Sequence, residues 1–325
     1  MASHFFTMAS IKVAEEATHE VIESPKEQTF IYSKILNGNS NDLWEVSKHV
    51  VALFPDLAPH YCAKAKFVCG QGDPGSIIIF HFGPGISRGG SVKHEIGKVD
   101  NKTQTSEYTI FSFSEGDVVN PSFFEAKMKF IPEKNEQTCA IWTLKYKHNE
   151  DEVGLLENVK KMAIIMVKTI ERAVIEKRIV RHTMVLKAPV DTLWDVLMHE
   201  HEVLPKAIPH IIASYNYIEG WGQCGSIRLL RLGHAIPGGN RILERIDIND
   251  CVNKKWAYTV LQGDPKYKYL SAVMDFLPGP KEGTTTATWM GVYVPQNNTV
   301  PPPDLALHVW KVFESVAKDF PVYCV

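Results

Sequence analysis

A chain of 325 residues is long for one folded unit and comfortable for two of about 150 residues each. Hydrophobic residues at 45% and charged residues at 22% are ordinary for a folded protein, and a formal net charge of −2 lacks the basic surplus of a nucleic-acid binder. No apolar run approaches the roughly 20 residues of a membrane span, so neither a nucleic-acid partner nor a membrane span is expected.

The first 28 residues (MASHFFTMASIKVAEEATHEVIESPKEQ) show no basic stretch followed by an apolar core, so no signal peptide is expected; residues 1–28 read as a polar, mobile extension. The six cysteines, Cys62, Cys69, Cys139, Cys224, Cys251 and Cys324, form no CxxC and no paired framework. Reduced, structural thiols and a cytoplasmic location follow as expectations.

Beyond the extension the chain is written twice. A β-rich segment (Phe30–Leu36) precedes a short helical stretch near Leu43–Ala52 that Pro55 should break. A strand then enters a Gly-rich turn, and further strands follow at hairpin spacing. A helix over Val153–Lys177 closes the unit, with Leu156, Val159, Met162, Met166, Ile170 and Val174 on one stripe. Ile164, Ile165 and Val167 make that helix apolar nearly all round, as a deeply gripped helix requires. The second unit runs the same course through Ile179–Leu186 and Leu193–Met198, with Pro205 as the breaker. Its closing helix starts after Pro301-Pro302-Pro303, with Asp304 suited to the first turn and Leu305, Val309, Val312, Phe313, Val316 and Phe320 as its stripe.

The repeat is gapless from Leu43 over Leu193: Trp44 meets Trp194, Pro55 meets Pro205, and Gly70, Gly72 and Gly75 meet Gly220, Gly222 and Gly225. Strands first and a long amphipathic helix last imply an α+β fold: two tandem domains, 29–177 and 178–325, each a curved antiparallel sheet wrapped around its C-terminal helix. A sheet of that shape leaves a space against its helix, and such spaces are default small-molecule sites.

Two motifs invite chemistry. GQGDPG (Gly70–Gly75) and GWGQCG (Gly220–Gly225) match G-x-G-x-x-G, but each opens a strand where a dinucleotide site needs a helix. Tight β–β turns are the better reading, and no cofactor is expected. His199-Glu200-His201 resembles a metal fragment without the i, i+4 spacing of HExxH, so it reads as a solvated loop and no metal is expected.

The strands of the two copies differ in charge. Ile242, Glu244, Ile246 and Ile248 share one face, with Glu244 the one acid among apolar neighbours. Arg228 is the odd charge beside Leu230 and Leu232, and Trp256, Tyr258 and Val260 share a third face. Arg228, Glu244 and Tyr258 could therefore converge in a cavity, or the two charges could face solvent on the convex side or form a structural salt bridge. At the same places the first copy carries Ile78, His94 and Tyr108, so a polar site belongs to the second copy.

LPKAIPHIIASYNYIEGWGQCGSIRLL (Leu204–Leu230) resembles the plant pollen-allergen and major-latex-protein family, whose helix-grip, START-like fold agrees with the pattern above. VDNKTQTSEYTIF (Val99–Phe111) and GSIRLL (Gly225–Leu230) resemble the lachrymatory-factor-synthase branch. That likeness implies Arg228 and Glu244 as catalytic groups and Tyr258 as a pocket tyrosine, while a second family tyrosine falls on Leu270. GHAIPGG (Gly233–Gly239) is similar to the gate loop of the abscisic-acid receptors, although Gly263-Asp264-Pro265-Lys266 stands where their latch would be. Trp142 and Trp289 replace the lysine used by norcoclaurine synthase, which argues against amine–aldehyde condensation.

The expected function is binding of a small, largely apolar metabolite, mainly in the second domain. Arg228, Leu230, Glu244, Ile246, Tyr258, Trp289, Val309 and Phe313 are its expected contacts. The alternatives are an isomerase or lyase of plant specialised metabolism, with Glu244 as acid/base and Arg228 stabilising negative charge, and a ligand-regulated interaction protein using the gate-like loop.

Overall fold

The computed structural model describes residues 9–13, 17–23, 27–70, 72–87, 90–113, 123–146, 153–236, 241–297 and 299–318. It divides the chain into two units, Met1–Lys177 and Arg178–Val325.

In the first unit, alternation of apolar and polar residues builds the strands. β9 (Gln137–Tyr146) buries Thr138, Ala140, Trp142, Leu144 and Tyr146 on one face and turns Lys145 outward. Its sheet contains β1 (Ala9–Val13), β2 (Ala17–Glu23), β3 (Gln28–Asn37), β4 (Cys62–Cys69), β5 (Ile77–Phe82), β6 (Ser91–Asp100), β7 (Thr105–Phe113) and β8 (Phe123–Pro132) as well. The antiparallel order is β1-β2-β3-β9-β8-β7-β6-β5-β4. α1 (Ser40–Ser47) and α2 (Val50–Leu57) follow β3, and α3 (Val153–Ile175) closes the unit. Leu156, Val159, Met162, Met166 and Ile170 of α3 are buried as the stripe requires.

The second unit repeats the plan with β10 (Ile179–Leu186), α4 (Val190–Met198), α5 (Glu200–Ala207), β11 (Ile212–Glu219), β12 (Ile227–Leu232), β13 (Arg241–Asp250), β14 (Lys255–Gln262), β15 (Tyr267–Pro278), β16 (Thr285–Pro295) and α6 (Leu305–Val316). The strands are antiparallel in the order β10-β16-β15-β14-β13-β12-β11. Each unit is thus the expected α+β helix-grip domain. A register shift falls between Ile96 and Lys98 in one copy and between Ile246 and Ile248 in the other, bending equivalent strand pairs at the same place.

Three expectations need correction. Residues 1–28 were expected as a mobile extension, yet β1 and β2 lie within them; β2 pairs with β3 from Glu23–Gln28 to Ala17–Lys34, adding a hairpin to the sheet edge. Pro55 and Pro205 do not break the helices before them. Each sits inside a second short helix, where the missing N–H forfeits one hydrogen bond and the helix ends two residues later. In α6, Leu305 is exposed, and the buried stripe is Ala306, Val309, Trp310, Phe313 and Val316; Phe320 lies outside the described residues. Among the described residues no helix is long and apolar enough to cross a membrane.

Candidate functional site

Both glycine motifs are β–β turns, between β4 and β5 and between β11 and β12, and open no helix. Gly220, Gly222 and Gly225 all have positive φ, and a side chain on Gly220 would collide with Ser226. Ser226 Oγ accepts from the Gly222 N–H at 3.1 Å, and Asn249 Nδ2 donates to the Gly222 carbonyl at 2.8 Å, tying the loop to β13.

The register below this loop brings the charges together. Arg228 stands opposite Glu244 on β13 and opposite Tyr217 on β11, while Ile246 stands opposite Tyr258 on β14. All point to the inner face, and Arg228 and Glu244 are only 2% and 6% exposed. Arg228 donates through Nε to Glu244 Oε2 at 2.9 Å, and its Nη2 lies 2.7 Å from the same oxygen. Of the arrangements open to these charges, the convex, solvent-facing one is not found: they form a buried pair.

That pair has a third member. Arg228 Nη1 donates to Glu200 Oε1, and Glu200 is 5% exposed. The reading of His199-Glu200-His201 as a solvated loop is therefore corrected at Glu200. His199 closes α4, which directs the first residue of α5 inward over the sheet. A signal for this was present, because the first copy carries apolar Val50 at the matching position. Glu200, Arg228 and Glu244 replace Val50, Ile78 and His94 as a set.

Aromatic rings enclose the guanidinium. Arg228 Cζ lies 4.5 Å from the Trp256 ring centre, 4.7 Å from that of Tyr215 and 5.7 Å from that of Tyr258. Burial pushes the Glu200 and Glu244 carboxyls above their ordinary range, with Arg228 pulling both back. Burial likewise drives the Tyr258 hydroxyl far up, so it stays protonated and able to donate.

A cavity of about 300 Å³ opens beside this set. Leu197, Met198 and Glu200 form its helical wall, and Tyr217, Ile246 and Trp256 its sheet wall. Trp221, Gly222, Gln223 and Asn249 form the rim, where Trp221 is 90% exposed. Of the eight expected contacts, Ile246 alone lines this cavity. Arg228, Leu230, Glu244, Trp289, Val309 and Phe313 are buried and Tyr258 is half-buried behind it. Residues 237–240 of the gate-like loop lie outside the described residues.

The first copy fills the equivalent place with neutral rings. His94 stacks on Tyr108 at 5.1 Å and lies 4.8 Å from Phe80, and the Trp142 N–H donates to the Tyr108 hydroxyl. Burial lowers the His94 pKa to about 3, keeping the ring neutral.

The model of the pathogenesis-related protein Bet v 1 family matches the chain twice, over residues 27–177 and 180–323. The MLP-like protein 423 of Arabidopsis thaliana is 28% identical over 109 residues, which cover 33% of this chain and 70% of that protein. Ribonuclease 2 of Panax ginseng is 30% identical over 121 residues, covering 35% of this chain and 78% of that protein. Among solved structures, the di-domain ARO/CYC BexL from the BE-7585A biosynthetic pathway aligns over 90% of this chain and 97% of that one, at 12% identity and a TM-score of 0.38.

Proposed function

The chain belongs to the pathogenesis-related protein Bet v 1 family, and on that premise we propose that its second domain binds a small, largely apolar metabolite. The observation that carries this reading is the cavity against Glu200, walled by Leu197, Met198, Tyr217, Ile246 and Trp256. These apolar side chains stand beside polar Glu200, Gln223 and Asn249, so the site offers both a surface for an apolar body and groups that can orient it. Arg228 acts here by holding Glu200 and Glu244 in place, and Glu200 meets the ligand.

An isomerase or lyase is the second reading, favoured by one observation: Glu200 reaches the cavity and burial raises its pKa, as a proton-transfer group requires. Arg228 fits a charge-stabilising role poorly, because its donors already serve two carboxylates.

The test is titration of the full chain with a neutral fluorescent probe, N-phenyl-1-naphthylamine. Filling the cavity with Ile246→Trp should abolish the response, and Arg228→Leu and Glu244→Gln should weaken it, while Ile78→Leu and His94→Phe leave it unchanged. Equal losses from both sets of variants would overturn the assignment to the second domain. Incubation with candidate metabolites and mass analysis separates the enzyme reading, which requires a product that disappears in Glu200→Gln.

A further inference from the structure

The cavity of the second domain borders a charge imbalance that its walls do not correct. Two buried carboxylates, Glu200 and Glu244, face one guanidinium, Arg228. Among the described residues, Arg228 is the cation that pairs with both. His201, next to Glu200 on α5, is held toward its neutral form by burial, and Asp264 adds its negative influence on Glu244 from the loop after β14. Tyr215, Tyr217 and Tyr258 complete the titratable surroundings, and burial keeps all three hydroxyls protonated. The cavity itself opens on Glu200, between the rings of Tyr217, Trp221 and Trp256.

We propose that the ligand of this cavity is a monocationic amine with a flat apolar body, its ammonium set against Glu200 and its body against Tyr217, Trp221 and Trp256. The proposal rests on the reading of the second domain as the ligand site and gives that ligand its chemical class. An uncompensated buried charge is costly, and burial raises both carboxyls above their ordinary range. An ammonium supplies the missing compensation: its N–H groups donate to the carboxylate, and its charge is attracted by the ring faces. An anionic ligand finds no equivalent reception, because Arg228 is 2% exposed and already pairs with two carboxylates. In the first copy, Val50, Ile78 and His94 create no such imbalance. At about 300 Å³ the cavity suits a ligand at the small end of the usual range.

The experiment is calorimetric titration of the full chain at pH 7 with three probes of one shape: 2-phenylethylamine, 2-phenylethanol and phenylacetate. The amine should bind at least about tenfold more tightly than the alcohol, and the alcohol more tightly than the acid. Glu200→Gln should bring amine and alcohol within about threefold of each other. A near-UV circular dichroism spectrum matching the parent's shows that the variant keeps its core packing, and Glu244→Gln, read by the same comparison of amine with alcohol, provides a second variant. An alcohol or acid that binds as tightly as the amine, or a preference that survives Glu200→Gln, overturns the proposal. The naphthylamine also separates the two readings: if it binds in the second domain and the amine gains nothing, only the ligand class falls. If nothing binds there, the cavity assignment falls with it.

Discussion

Arg228 is the residue on which the second domain turns. Replaced alone by Met, it leaves two buried carboxylates without their cation, and the chain should lose about 3–5 kcal/mol. The triple exchange Glu200→Val, Arg228→Ile, Glu244→His installs the first copy's residues and should remain within about 2 kcal/mol of the parent. Urea unfolding of both variants checks the pair of outcomes; similar losses in each would mean that the ions are not coupled as described. Strand parity made Arg228 and Glu244 legible in the sequence, because each is the charge on an otherwise apolar face. Glu200 was not legible from its own neighbours, since a His-Glu-His run is polar on its surface reading. Only the comparison with Val50 marks the position as interior.

At the scale of elements, the long periodic pieces were the readable ones: α3 and the strands from β10 onward follow their apolar periods, whereas α6 was placed correctly but with Leu305 on the wrong face. The hairpin of β1 and β2 was not readable, because ASIKV and ATHEVIE are short and carry no sustained apolar period. The doubled helices were missed because proline was given the power to end a helix at once, whereas one lost hydrogen bond is tolerable near the end of an eight-residue helix. Strand parity could place side chains on the inner face but not say which of them reach the cavity, and Ile246 alone among the expected contacts does so. The glycine loop yields a separable prediction. Trp221, at 90% exposure, should be replaceable by Ala within about 0.5 kcal/mol of stability while amine affinity falls. Gly263→Ala should cost more than Gly225→Ala, because a Cβ at Gly263 meets the Arg241 carbonyl and one at Gly225 meets nothing within 4 Å. Thermal melts of the variants, with amine titration of Trp221→Ala, decide these points.

Across the whole molecule, one scaffold carries two electrostatic interiors, and the copies should respond to pH in opposite senses. In the second, burial raises the carboxyls of Glu200 and Glu244 above their ordinary 4.5, so the folded state retains a proton that the unfolded chain releases. That contribution is fully present below 4.5 and is lost as pH rises through the raised folded pKa; Glu200→Gln should flatten this loss. In the first, His94 is lowered from 6.5 to about 3, so the unfolded chain takes up the proton first. Its contribution is complete above 6.5 and lost as pH falls toward 3, and His94→Phe should remove that dependence. Unfolding measured across pH 3 to 8 in each variant isolates the two terms.

The central claim is that ligand enters the second interior beside Glu200. Methyl-labelled NMR of the full chain, titrated with 2-phenylethylamine, tests it most directly. Shifts should concentrate at Leu197, Met198 and Ile246, which line the cavity, and leave Ile78 and Ile110 of the first domain unmoved. Shifts centred on Ile78 and Ile110, with Leu197, Met198 and Ile246 silent, would contradict it.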